Sequence, residues 1–204
     1  MKPPDPEVST VVSPETPGRV PWPTIISYGA PAVGAGYMYL LLNLYVMKFS
    51  TDVLLIAPAV MGLIFAISRV WDAISDPIVG YLSDRTVSRF GRRRTWIVGS
   101  LIPISAVFVM VFSPPVGMGE VGLVTWMALG VIGFYSAMTV FFVPHLSLGA
   151  ELSDNYHERS RLFGMRHAFY TIGSILALVS MKLLIDAEQE SGTAVRELAV
   201  DLAM

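Results

Sequence analysis

The chain has 204 residues, of which 53% are hydrophobic and 15% are charged, and its formal net charge is −2. Soluble domains carry about 25% charged residues, so this composition, with a mean hydropathy of +0.59, indicates a membrane protein. The absence of cysteine excludes both a disulfide framework and a thiolate metal site.

The N-terminal segment, residues 1–22, is rich in proline and poor in hydrophobic residues. A secretory signal would show a basic start followed by an apolar run of roughly 7–15 residues, and neither feature is present. The composition therefore predicts a disordered cytoplasmic tail over residues 1–22.

Five apolar stretches follow this tail, and each is close to the ~20 residues that a helix needs to cross about 30 Å of hydrocarbon. They predict an all-α bundle over residues 23–185, with a polar external segment at 186–204 that is too polar to cross a bilayer. The predicted helices cover residues 24–49, 57–82, 95–112, 122–149 and 162–185. An odd number of spans is unusual for a complete transporter, so we expect the chain to be a piece of a longer protein.

The distribution of arginines predicts the orientation of these helices. The loop at residues 83–94 holds five arginines, whereas the first and third loops carry no Lys or Arg apart from Lys48 at a helix edge. Cytoplasmic loops carry an excess of Lys and Arg. We therefore predict a multi-pass protein of the cell membrane with its N-terminus in the cytoplasm.

The second apolar stretch carries three charged residues on one helix face, Arg69, Asp72 and Asp76. Each charge at bilayer depth costs ~2.5–3.5 kcal/mol, so this face is expected to point toward protein or a water-filled cavity. One interpretation is a structural pair of Arg69 with Asp72. That pair leaves Asp76 without a partner, and two carboxylates one turn apart repel each other unless a cation lies between them. The preferred interpretation is therefore a coupling site for Na⁺ or H⁺.

An enzyme is not expected. Aspartyl chemistry within a membrane needs two carboxylates that converge from different helices, and here both acids lie on one helix. The sequence contains no nucleophile-elbow, HExxH or P-loop motif. We expect no cofactor and no nucleic-acid partner.

The run GYLSDRTVSRFGRRR at residues 80–94 resembles the loop signature between the second and third helices of the major facilitator superfamily. Such a resemblance implies a gating charge network at the cytoplasmic side, in which the acid at the end of the second helix pairs with arginines. The residues assigned to this network are Arg69, Asp84, Arg85, Arg92 and Arg93.

A more specific resemblance is carried by SYG at 27–29, STDV at 50–53 and RVWDAISDP at 69–77. These motifs look like those of the glycoside–pentoside–hexuronide cation symporters, in the N-terminal half of a twelve-helix transporter. The family implies that Asp72 and Asp76 bind the coupling Na⁺, Li⁺ or H⁺ and that Thr139 assists them. It also implies that Arg166 lies near the substrate.

The chain departs from that family where the sugar binds. The positions of the family's sugar-binding acids hold Gly36 and Phe142, with Ala35 and Leu146 in place of its basic residue and its tryptophan. A galactoside site built on those acids is therefore excluded. An arginine without nearby acids favours a carboxylate or phosphate group on the substrate.

Two further residues, Tyr37 and Asn43, are candidates to line the substrate cavity. Together the observations predict a symporter that couples entry of Na⁺ or H⁺ to uptake of a small organic solute, sugar-like or anionic, by alternating access. The expected partners are the lipid bilayer, the solute and a C-terminal bundle that this chain lacks. Two alternatives stay open: a cation-coupled transporter of lysolipids or other amphiphiles, and a non-transporting membrane fragment of such a transporter.

Overall fold

The structure is a computed structural model that describes residues 19–115 and 117–201. These residues form six α-helices and a π-helical turn, Phe49–Val53, and the described part of the chain contains no β-strand. The helices are α1 Trp22–Gly29, α2 Pro31–Lys48, α3 Pro58–Arg85, α4 Arg92–Phe112, α5 Glu120–Glu151 and α6 Tyr156–Asp201. The predicted all-α class is confirmed.

Five segments of the described chain are helical, long and apolar enough to cross a membrane. They are Trp22–Val53, Pro58–Arg85, Arg92–Phe112, Glu120–Glu151 and Tyr156–Leu183. Each predicted stretch falls on one of these segments, and most of the helices continue for a few residues beyond it. The extra residues include polar helix ends such as Arg92 and Glu151, which hydropathy alone does not detect.

The first segment is interrupted at Ala30, where α1 ends and α2 begins with Pro31. Proline has no N–H to donate to the preceding turn, so the hydrogen-bond ladder is broken at this residue. Val33 instead donates to the carbonyl of Ala30, only three residues earlier, at 3.1 Å. The break therefore lies inside the first membrane-spanning segment.

The two ends of the chain correct the predicted boundaries. Residues 1–18 of the predicted disordered tail lie outside the described residues, but Val20 is only 7% exposed and its N–H donates to Glu158 at 3.1 Å. The packed bundle therefore begins near residue 20 rather than after residue 22. At the other end, the segment predicted to follow residue 185 continues α6 as far as Asp201.

Helix α5 lies at the centre of one half of the bundle and packs against α3 and α4, while α2 and α1 pack against α6. Its buried residues recur at helical spacing and meet α2 through Leu42 and α4 through Val111. The α5 side of this core consists of Met127, Val131, Phe134, Met138 and Phe141. Close van der Waals packing is an important force between helices in lipid, and α5 takes part in more of it than any other helix here.

Helices α2 and α6 approach each other closely at two glycines. A Cβ added to Gly36 would overlap the carbonyl oxygen of Tyr170, and one added to Gly173 would overlap that of Val33. Small residues permit such close backbone approach. Gly36 therefore faces α6, and its position has no room for a side chain.

Candidate functional site

Arg69 of α3 is held by three polar side chains from the neighbouring helices. Its guanidinium donates to the Tyr39 hydroxyl at 2.8 Å, to the Asn43 side-chain oxygen at 3.2 Å and to the Tyr135 hydroxyl at 2.7 Å. The carbon at the centre of the guanidinium also lies 4.3 Å from the centroid of the Tyr135 ring, a distance typical of a cation–π interaction. Arg69 thus joins α3 to α2 and α5.

Asp72 lies one helical turn beyond Arg69. One of its carboxylate oxygens, Oδ2, is 3.4 Å from the Arg69 guanidinium. The other, Oδ1, is buried and has no hydrogen-bond partner among the described residues. The predicted Arg69–Asp72 pair is therefore present but leaves half of the carboxylate unsatisfied, which is costly for a buried charged group.

Asp76, one further turn along α3, is engaged by α5. The hydroxyl of Thr139 donates to its Oδ1 at 2.9 Å, and Thr139 is only 6% exposed. The structure thus brings Asp76 and Thr139 into direct contact and places Asp72 one turn away on the same helix.

Asp72, Asp76 and Thr139 line a cavity of about 160 Å³ between α2, α3 and α5. Its polar wall also contains the hydroxyl-bearing rings of Tyr39 and Tyr135. The apolar part of the lining comes from α5 and consists of Met138, Phe142, Val143 and Leu146. Within the described ranges no group of three His, Cys, Asp or Glu residues is arranged to hold a metal ion. Two carboxylates and a hydroxyl are oxygen donors, the ligand type that hard cations prefer.

The three residues predicted to bind substrate are not brought together. Asn43 accepts from Tyr135 at 2.9 Å as well as from Arg69, so it belongs to the Arg69 cluster. The Tyr37 hydroxyl accepts from Ser180 at 3.1 Å between α2 and α6. Arg166 lies on α6 with its guanidinium carbon 5.5 Å from the centroid of the Phe142 ring. Phe142 also lines the cavity, so Arg166 contacts a residue of the cavity wall.

The residues of the predicted charge network do not form one cluster. Arg93 is 9% exposed and binds Asp84 at 2.9 Å and Glu151 at 3.0 Å. Arg92 pairs with the same Glu151. Arg85 instead lies over the ring of Tyr81, 4.2 Å from its centroid. Neither Arg85 nor Arg69 is paired with this cluster, so their assignment to one network with Asp84 is corrected.

Sequence reasoning missed the acid and the hydroxyls that complete these clusters. Glu151 ends α5 and contacts the start of α4, while Tyr39 binds Arg69 from α2. Trp71 donates to Ser136 at 2.7 Å and adds a further polar contact between α3 and α5. Each of these is a polar group within or at the end of an apolar span, which is the signal by which such partners can be found.

Comparison with known proteins supports the resemblance seen in the motifs. The family model described as MFS/sugar transport protein matches residues 27–200. An uncharacterized symporter of Synechocystis sp. is 37% identical over 76% of this chain and 30% of the relative. The isoprimeverose transporter of Lactiplantibacillus pentosus is 29% identical over 81% of this chain and 34% of the relative.

A third relative, the sodium-dependent lysophosphatidylcholine symporter 1-B of Danio rerio, is 30% identical over 66% of this chain and 26% of the relative. The match covers between 26% and 34% of the length of each of these proteins. All three names describe transporters, and the five apolar helices agree with a multi-pass membrane protein. Because the family model matches most of its residues, the chain belongs to the MFS/sugar transport protein family of the major facilitator superfamily.

Proposed function

We propose that the protein containing this chain is a symporter that couples entry of Na⁺ or H⁺ to uptake of a small organic solute by alternating access. In this proposal the chain supplies the cation site, and a C-terminal bundle supplies the surface against which it rocks. The observation that carries the proposal is the contact of Thr139 with Asp76 beside Asp72, whose Oδ1 is buried without a partner.

The charge balance of this site favours one monovalent cation. Arg69 compensates one of the two carboxylates on α3, so the face retains one negative charge. A bare charge is costly at bilayer depth, and binding of a single Na⁺ or H⁺ neutralises the face. A neutral face is free to move through an apolar environment, which links cation binding to the conformational change.

The available energy is sufficient for accumulation of solute. One monovalent cation that crosses a potential of about 100 mV supplies ~2.3 kcal/mol. That energy corresponds to a concentration ratio of roughly fiftyfold, before any gradient of the cation itself is counted.

The hydrogen bonding of Arg166 favours a solute that is sugar-like or anionic. Within the described residues it has no carboxylate partner, and its Nη1 and Nη2 atoms make no hydrogen bond. An arginine in this state fits a carboxylate or phosphate in a bidentate manner. The relative named as an isoprimeverose transporter supports a solute of sugar size.

A second candidate function is transport of an amphiphile. The apolar wall of the cavity, formed by Met138, Phe142, Val143 and Leu146, suits an acyl chain better than a sugar. The relative named as a lysophosphatidylcholine symporter has a substrate with both an acyl chain and a phosphate.

Uptake by the full-length protein in energised membrane vesicles tests the cation site. Asp72→Asn and Asp76→Asn are each expected to abolish cation-stimulated uptake, because each removes a carboxylate that the cation binds. Asp52→Asn is the matched control, since Asp52 pairs with Lys48 at the opposite end of the bundle from the arginine-rich loop. Separate Na⁺ and pH gradients identify the coupling ion. Accumulation that survives in both cavity variants would place the coupling site elsewhere.

The substrate class is tested with glucuronate, glucose, a neutral galactoside and lysophosphatidylcholine. Preference for glucuronate over glucose, lost in Arg166→Lys, supports an anionic sugar-like solute. Preference for lysophosphatidylcholine supports the amphiphile. Efficient transport of the neutral galactoside, with Arg166→Lys silent, would contradict the assignment of Arg166 to the substrate.

A further inference from the structure

His145 of α5 is a buried histidine that the proposed transport mechanism does not yet use. Its side chain is 2% exposed and its ring stacks between Tyr28 at 4.5 Å and Phe141 at 5.1 Å, measured between ring centroids. Both of its nitrogens nevertheless have polar partners.

The two partners determine the protonation state of the ring. Nε2 lies 2.9 Å from the main-chain oxygen of Tyr28, and a carbonyl oxygen only accepts hydrogen bonds. Nδ1 lies 3.3 Å from Nε of Arg166, and a guanidinium only donates. Nε2 therefore carries the hydrogen and Nδ1 carries none, so the ring is the neutral Nε2–H tautomer.

The Tyr28 carbonyl lies at the break in the first membrane-spanning segment. Helix α1 ends at Gly29 and α2 begins at Pro31, so the regular ladder of main-chain hydrogen bonds is interrupted next to Tyr28. In lipid every main-chain carbonyl needs a partner from within the protein. His145 supplies that partner, and this bond fixes the ring in place relative to α1.

His145 therefore holds the guanidinium of Arg166 through one nitrogen only. Its Nε is bound to His145, and its central carbon lies over the Phe142 ring, 5.5 Å from the ring centroid. Within the described part of the chain its two terminal nitrogens, Nη1 and Nη2, make no hydrogen bond. Two parallel donors at the end of an oriented guanidinium are what a carboxylate or a phosphate binds in a bidentate manner.

We propose that His145 is a positioning residue, which anchors on the break in the first segment and orients Arg166 for an anionic group of the substrate. This inference rests on the proposed role of Arg166 in substrate binding. An arginine that is already oriented loses less conformational freedom when the ligand binds, and this pre-organisation increases affinity.

Two substitutions separate the two bonds of the ring. In His145→Gln the side-chain amide reaches the position of Nε2, so its N–H₂ still donates to the Tyr28 carbonyl while the acceptor for Arg166 is lost. In His145→Asn the side-chain oxygen falls near the position of Nδ1, so the acceptor for Arg166 is kept while the bond to Tyr28 is lost. A purely structural histidine would tolerate Gln better than Asn in every measurement.

The experiment measures binding of glucuronate and of inorganic phosphate to the full-length protein in nanodiscs, with glucose as the uncharged match. We expect His145→Gln to weaken binding of the preferred anion about tenfold, the usual effect of losing one charge-assisted interaction, with an unchanged unfolding temperature. His145→Asn is expected to show the opposite pattern, with lower thermal stability and nearly normal affinity in the folded fraction. ¹⁵N NMR of labelled histidine should show the neutral Nε2–H tautomer.

Three results would overturn the inference. A different tautomer, or a protonated ring, contradicts the bonding pattern itself. Loss of anion binding in Arg166→Lys but not in His145→Gln leaves the proposed substrate site intact and removes the positioning role. Wild-type protein that binds neither anion more tightly than glucose refutes the anionic substrate, and the inference with it.

Discussion

Thr139 donates its hydroxyl hydrogen to the Asp76 carboxylate at 2.9 Å, and this bond joins α5 to α3. A hydrogen bond to an ionised acceptor is stronger than one to a neutral acceptor, so the contact is strongest while Asp76 is charged. If Asp76 binds the coupling cation as proposed, binding would weaken this attraction between α3 and α5 and so link cation binding to helix packing.

Thr139→Ala is expected to weaken cation binding without abolishing it. The alanine removes a neutral oxygen ligand and a hydrogen bond worth about 1.5–3 kcal/mol to a charged acceptor, but both carboxylates stay in place. We expect the concentration of cation that gives half-maximal uptake to rise about tenfold. The measurement is uptake by the full-length protein as a function of Na⁺ concentration or pH.

Thr125→Ala is the matched control for this prediction. Thr125 lies on the same helix, but its hydroxyl donates to the carbonyl of Val121 at 2.8 Å and is remote from the cavity. Its replacement should leave the cation dependence unchanged. Equal effects of the two substitutions would show that loss of a threonine from α5, rather than loss of a ligand, is responsible.

Arg93→Gln is expected to destabilise the bundle by up to about 1 kcal/mol, the usual contribution of ion pairs whose acids are partly exposed to solvent. Arg93 is nearly buried and is shared by Asp84 of α3 and Glu151 of α5, so its removal leaves both acids without that partner. Glu151→Gln should cost less, because Arg93 keeps Asp84. The measurement is the thermal unfolding of the full-length protein in detergent.

Arg89→Gln provides the comparison for the charge cluster. Arg89 lies in the same loop with its guanidinium 4.9 Å from the centroid of the Phe90 ring, and the described residues give it no acid. An exposed charge of this kind contributes little to stability. If Arg89→Gln and Arg93→Gln lowered the unfolding temperature equally, the cluster would have no specific role.

The spans were predictable because hydropathy and length measure the property that a bilayer selects. The charged face of α3 was predictable as well, since spacing along a helix decides which of Arg69, Asp72 and Asp76 lie together. The hydrogen-bond partners of Arg69 were not predictable from the sequence. They depend on the rotational orientation of α2 and α5 about their own axes, and spacing within one helix does not determine that orientation.

The ends of the elements show the same limit. Glu151 was missed because it lies at the end of α5, whereas the arginines with which it pairs lie at the start of α4. The helical state of the residues after 185 was missed because a polar composition excludes a membrane span but not a helix. Tyr37 and Asn43 are both polar residues of α2, yet they face different neighbours, α6 and α3, which again depends on packing.

The predicted topology is tested with single cysteines, since the native chain has none. Val87→Cys and Gly119→Cys suit the labelling, because Val87 is 100% exposed and a side chain at Gly119 meets no neighbour. Val87 lies in the arginine-rich loop, so a membrane-impermeant thiol reagent should label it only from the cytoplasmic side and Gly119 only from outside. Labelling of both from the same side would refute the five-span arrangement.

The surroundings of Gly36 leave no room for a side chain at the position where the resemblance to the cation symporters implies a sugar-binding acid. A Cβ at Gly36 would overlap the carbonyl oxygen of Tyr170 on α6, whereas one at Gly34 would meet no neighbour. Gly36→Ala is therefore expected to cost about 1–3 kcal/mol of stability through overpacking, while Gly34→Ala stays close to wild type in thermal unfolding. Gly36→Asp should destabilise further and confer no galactoside uptake, because its carboxylate would lie between α2 and α6 instead of in the cavity. A stable Gly36→Asp protein that transported galactosides would show that this position faces the substrate.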